Sequence, residues 1–95
     1  MVSVDLLEIE GKCLIGIRVE FKGAPLLILL YKDLSICCGY INLEVMEKFG
    51  NAACIVRGVK TFEDVLNSEI REATSKAMEM GAKPGIRVRD LLRVI

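Results

Sequence analysis

The chain has 95 residues, enough for one domain and one small core. Its 13 basic and 13 acidic residues cancel to zero net charge with no basic stripe, which argues against a nucleic-acid partner. Apolar residues make up 53% of the chain, above the usual ~45–50%, and apolar surface in excess of one small core predicts self-association.

The longest apolar run, Ala24 to Tyr31, contains Pro25 and falls far short of the ~20 residues that span a bilayer. The N-terminus, Met1-Val2-Ser3-Val4-Asp5, carries neither a basic region nor a small-residue cleavage site, so no signal peptide is expected. Cys13, Cys37, Cys38 and Cys54 lie in apolar, strand-like runs without CxxC spacing, and the chain contains no histidine. Cys37 and Cys38 would point to opposite faces of a strand, which disfavours a Cys₄ zinc site. Reduced cysteines, a cytoplasmic location and no metal or cofactor are the corresponding expectations.

In chain order, Val2, Val4 and Leu6 alternate, and the phase then slips to Leu7 and Ile9, which predicts a bulge near Leu6-Leu7. Glu10-Gly11-Lys12 turns into a strand that alternates cleanly from Ile17 to Lys22. After the turn at Lys22-Gly23-Ala24-Pro25, Leu26 to Leu30 has no polar face. That pattern predicts a strand covered on both sides, the second cover coming from another subunit. Leu34 to Cys38 and Ala52 to Val56 are two further strands, joined by a helix from about Leu43 to Phe49 that stops at Gly50-Asn51. The intervening crossover has about the minimum length for a βαβ step with parallel strands.

A second helix begins after Thr61, whose Thr61-Phe62-Glu63-Asp64 run is a variant capping box. A third, capped by Asn67 or Ser68, is expected to continue to Met80, with Ile70, Ala73 and Ala77 on one narrow face and a Glu72–Lys76 pair. The last helix sets Val88, Leu91, Leu92 and Ile95 on one apolar stripe. The predicted architecture is a mixed α/β domain over residues 1–95: an N-terminal antiparallel meander, one βαβ step, then C-terminal helices, divided into a β-rich oligomerisation region (1–38) and an α/β region (39–95).

One pattern occurs twice: a glycine, then a small polar residue three positions later, followed by an apolar residue and glutamate. The copies are Gly39-Tyr40-Ile41-Asn42-Leu43-Glu44 and Gly58-Val59-Lys60-Thr61-Phe62-Glu63, each after a strand. Each reads as strand, glycine turn, N-cap, helix. With the two strands parallel, both copies open at the sheet edge where α/β proteins bind ligands.

Gly39, Asn42, Gly58, Lys60 and Thr61 are therefore candidate residues for a small anionic ligand at the paired helix N-termini, with Lys60 supplying charge. The competing reading has Asn42 and Thr61 capping their own helices while Lys60 stays solvated. Without histidine, Ser-His-Asp and Cys-His catalysis are excluded. Neither G-x-x-x-x-G-K-[ST] nor G-x-G-x-x-G is present. Cys38, before a helix N-terminus, is the candidate nucleophile of an enzyme reading, with Glu44, Lys60 or Asp64 as proton carriers. In the alternative, Cys38 packs as a small hydrophobe. A third function class is a structural or protein-interaction module using the apolar strand surface.

The chain resembles the YunC-like family of small uncharacterised bacterial and archaeal proteins. The resemblance rests on Cys38 to Glu44, on Ala53-Cys54-Ile55-Val56-Arg57-Gly58-Val59-Lys60-Thr61-Phe62-Glu63-Asp64, and on the stretch from Gly81 to Leu92. There Arg89 falls on the arginine of the family's Gly-Arg-acidic-Ala-Leu ending, with Val88 in place of its glycine, and joins the candidate ligand-binding residues. The resemblance implies no established activity. It does imply an N-terminal β region that mediates tetramer formation, so the expected partner is the chain itself.

Overall fold

In the computed structural model, which describes residues 1–95, the first four strands form a meander: β1 (Val2–Ile9), β2 (Lys12–Val19), β3 (Leu26–Tyr31) and β4 (Leu34–Cys37). Helix α1 (Leu43–Lys48) leads to β5 (Ala52–Ile55), followed by α2 (Phe62–Asn67), β6 (Glu72–Ala73), α3 (Ser75–Glu79) and α4 (Val88–Val94). The six strands lie in sequence order across one sheet. All neighbours are antiparallel except β4 and β5, the parallel pair that the βαβ spacing predicts.

Local chemistry explains the element ends. Glu10 and Gly11 both take positive φ, 51° and 76°, the primed geometry that suits a two-residue hairpin. Asn42 Oδ1 accepts from the backbone N–H of Glu44 at 3.0 Å, starting α1, and Gly50 at φ 73° ends it. Thr61 Oγ1 accepts from Asp64 N–H while Asp64 Oδ2 accepts from Lys60 N–H, both at 3.0 Å, so α2 starts on a variant of the capping box whose return bond reaches the residue before the cap.

Two expectations are corrected. The β1–β2 register is unbroken from Val2↔Val19 to Ile9↔Lys12, so Leu6-Leu7 carries no bulge. The apolar phase slips because the two halves of β1 offer apolar side chains to different faces: Val2, Val4 and Leu6 to one, Leu7 and Ile9 to the other. The single helix expected from Ser68 to Met80 is broken into two elements. Arg71 N–H donates to Ile55 O at 2.8 Å and Thr74 N–H to Ala53 O at 2.9 Å, so the segment extends along β5 as β6. Glu72 accordingly pairs with Arg57 rather than Lys76, and α3 is capped by Thr74.

The sheet faces are unlike. Leu14, Leu27, Leu29, Leu34, Ile36, Cys38, Cys54 and Val56 turn to one side and are buried with Val65, Leu66, Ala77, Val88, Leu91 and Leu92 from α2, α3 and α4. The predicted stripe of α4 thus meets the sheet, with Ile95 half-buried against it. Gly16 of β2 admits the Phe62 ring so closely that an added Cβ would stand 2.9 Å from Cζ. On the other side, Cys37, Ala53 and Ile55 are buried outside that cluster, where α1 packs on β5. Over β1–β3 this second face has no helix. Leu6 is 74% and Val4 64% exposed, and Ile17, Ile28 and Leu30 are half-buried.

Thr74 fastens the C-terminal half to the sheet. Its buried hydroxyl donates to Asn51 O at 2.7 Å and accepts from Ala53 N–H at 3.0 Å and Ala77 N–H at 3.3 Å. Thr74→Val keeps the shape but leaves these groups unpaired. It should cost about 3 kcal/mol in urea unfolding, whereas Thr74→Ser should cost under ~1.5 kcal/mol. A smaller loss in Thr74→Val than in Thr74→Ser would show that the methyl group, not the hydrogen bonds, does the holding.

Candidate functional site

The parallel strands β4 and β5 end side by side, and their chains then leave on opposite faces of the sheet, toward α1 and α2 respectively. The space between the departing loops is a crevice of about 280 Å³, open to solvent. Such divergence outside the carboxyl ends of neighbouring strands is where open α/β sheets bind ligands.

Four residues singled out in the sequence line this crevice together: Cys38, Gly39, Gly58 and Lys60. The other three do not. Asn42 and Thr61 are engaged as caps of α1 and α2, and Arg89 holds Glu63 of α2 at 3.1 Å across the α2–α4 contact. The two helix N-termini serve their own caps, and what converges on the crevice is the pair of glycine loops before them.

Sequence reasoning missed Ala24, Pro25, Tyr40 and Val59, which complete the lining. Tyr40 and Val59 stand beside the glycines in the repeated pattern. Ala24 and Pro25 arrive only through the sheet, because β3 is antiparallel to β4 and begins at this edge. Two contacts fix the walls. Tyr40 Oη donates to Ala24 O at 3.0 Å, with the Tyr40 ring 5.5 Å from that of Phe21. Arg18 Nη1 donates to Lys60 O at 2.8 Å while its guanidinium pairs with Glu20. Arg57 lies behind Gly39: a Cβ there would be 3.1 Å from Nη1, and Nη2 is held by Glu72 at 2.9 Å.

The charge pattern is simple. Lys60 is the only formally charged lining residue, and its side chain makes no ion pair within the chain. The backbone N–H groups of Gly39, Tyr40, Gly58 and Val59 donate to no acceptor in the chain. Cys38 forms part of the floor and is 4% exposed. Its backbone N–H donates to Leu27 O at 3.1 Å and its Sγ accepts from Leu27 N–H at 3.4 Å, so the thiol prolongs the β3–β4 ladder by one step.

Burial pushes the Cys37 and Cys54 thiols up to about 12, reinforced by the neighbouring Cys38 for Cys37 and Cys37 for Cys54. The folded chain therefore holds these protons more tightly than an unfolded one titrating near 9. The resulting stability is complete below pH 9 and is lost as pH rises toward 12. Between about pH 8.5 and 10.5 the urea midpoint should fall more steeply for the native chain than for a Cys37→Ala/Cys54→Ala variant. Parallel falls would show that other groups carry the alkaline loss.

The comparisons with known proteins agree with this architecture. No curated protein matches the chain. The crystal structure of a protein of unknown function, TA1206 from Thermoplasma acidophilum, is similar with a TM-score of 0.90 and 35% identity. The match covers 97% of this chain and 90% of that one. The model of a domain of unknown function, DUF1805, matches residues 37–95, the stretch that contains both glycine loops and the C-terminal helices. The chain belongs to this DUF1805 family, whose function is unknown.

Proposed function

We propose that the chain is a subunit of a homo-oligomer that binds a small anionic ligand in the crevice between the two glycine loops. The observation that carries the ligand reading is the convergence of Cys38, Gly39, Gly58 and Lys60, far apart in sequence, on a cavity containing one lysine and no carboxylate. An exposed ammonium beside the crevice, with lining residues whose backbone N–H groups have no acceptor in the chain, suits an acceptor-rich, negatively charged group.

Assembly has its own support. A contiguous apolar surface including Val4, Leu6, Ile15, Ile17, Ile28 and Leu30 lies open over β1–β3, where monomeric proteins seldom leave such a patch. A second copy presenting the same face is the self-complementary way to cover it, and a tetramer is the state that the family resemblance favours. Four unpaired cysteines, three of them buried, support a reducing, cytoplasmic location.

Two measurements test the proposal. In matched ionic strength, millimolar acetate or phosphate should raise the melting temperature, and Lys60→Ala should reduce the increment to about a third while changing ligand-free stability by less than ~0.5 kcal/mol. An identical response in both proteins would mean that the ions act by exclusion from the surface and would overturn the ligand reading. In light scattering, Leu6→Lys should dissociate the assembly and leave folded subunits. Leu29→Lys, on the buried face, should abolish folding by burying an unpaired charge. A native chain that is monomeric at micromolar concentration would overturn the assembly.

A further inference from the structure

We propose that the ligand of the crevice is a monocarboxylate with a compact apolar body, its carboxylate held by the glycine loops and its body against the inner wall. The inference rests on the anion-binding reading and adds the chemical class.

The crevice has two chemically distinct parts. Gly39, Tyr40, Gly58 and Val59 supply unengaged backbone N–H groups from two chain segments, and Lys60 supplies the charge. A carboxylate, which only accepts hydrogen bonds and carries one negative charge, matches several N–H donors and one ammonium. A phosphate monoester carries roughly two charges at neutral pH and asks for more cations. The two guanidinium groups that approach its walls, Arg57 and Arg18, are already paired, with Glu72 at 2.9 Å and with Glu20 at 3.0 Å.

The remaining wall is apolar. Pro25 and Val59 are buried, the Cys38 thiol is occupied with the Leu27 N–H, and the Tyr40 ring is fixed by its bond to Ala24 O and by Phe21. A small inorganic anion would leave this wall wet, whereas an apolar body removes it from water. The volume of about 280 Å³ lies just below the ~300–1,000 Å³ typical of drug-sized ligands, so the body is small, on the scale of one ring or a short branched chain.

The test uses the assembled native protein and three probes, benzoate, benzyl alcohol and inorganic phosphate, read by backbone amide shifts in ¹H–¹⁵N NMR. Benzoate should shift the amides of Gly39, Tyr40, Gly58 and Val59 saturably. Benzyl alcohol, with a similar body and no charge, should bind at least about tenfold more weakly. Phosphate should also bind more weakly than benzoate. Lys60→Ala should weaken benzoate about threefold while leaving the amide spectrum otherwise native, as expected for one exposed ion pair.

Phosphate binding these amides more tightly than benzoate would overturn the carboxylate class and leave the anion reading standing. Silence of these amides to both anions would overturn both. Benzyl alcohol binding as tightly as benzoate would likewise overturn both, because it would show that charge plays no part.

Discussion

The parallel pairing of β4 with β5 is the constraint on which the rest of the molecule depends. Parallel neighbours need a crossover that returns the chain to the starting edge, and here α1 supplies it on one face. The chain leaving β5 then turns to the opposite face, where α2 packs with α3 and α4 over the main core. That divergence separates the Gly39 and Gly58 loops and leaves the crevice between them. In an antiparallel arrangement the two strands would end at opposite edges and the glycines would never meet.

The same constraint divides the helices unevenly. Three cover one face, and the six residues of α1 cover the second face only near β5. The meander that widens the sheet brings no helix of its own, so its apolar outer face stays uncovered within the single chain. Gly16 shows how tightly the covered face is packed: the Phe62 ring uses the space that a side chain would occupy. One subunit therefore has a dense side and an open side, and the open side is the one that the proposed assembly would cover.

Much of this was legible in the sequence. Turn and cap chemistry placed α1 between Asn42 and Gly50 and α2 after Thr61, because local hydrogen bonds decide helix ends there. The crossover length announced the parallel pair, and the apolar spacing from Val88 to Ile95 announced α4. Where the sequence misled, long-range pairing outweighed local propensity. Ile70 to Ala73 has helical spacing, yet the free edge of β5 offers the carbonyls of Ile55 and Ala53, and Arg71 and Thr74 take them. In β1 the phase slip pointed to a bulge, but the unbroken pairing with β2 shows a regular strand with apolar groups on both faces. The site was half visible for the same reason. Gly39, Gly58 and Lys60 belong to a local repeat, whereas Ala24 and Pro25 reach the crevice only through the β3–β4 register.

If the proposed assembly forms, both faces of the β1–β3 meander are interior to it. Methyl NMR of the wild-type protein with a soluble gadolinium chelate tests this without any mutation. Leu6, Ile15, Ile17, Ile28 and Leu30 should be shielded nearly as well as the core residues Leu27 and Leu29, while Val94, 78% exposed on α4, is bleached. Bleaching of Leu6 and Ile15 to the extent of Val94 would contradict the account, because that face would then lie open to water.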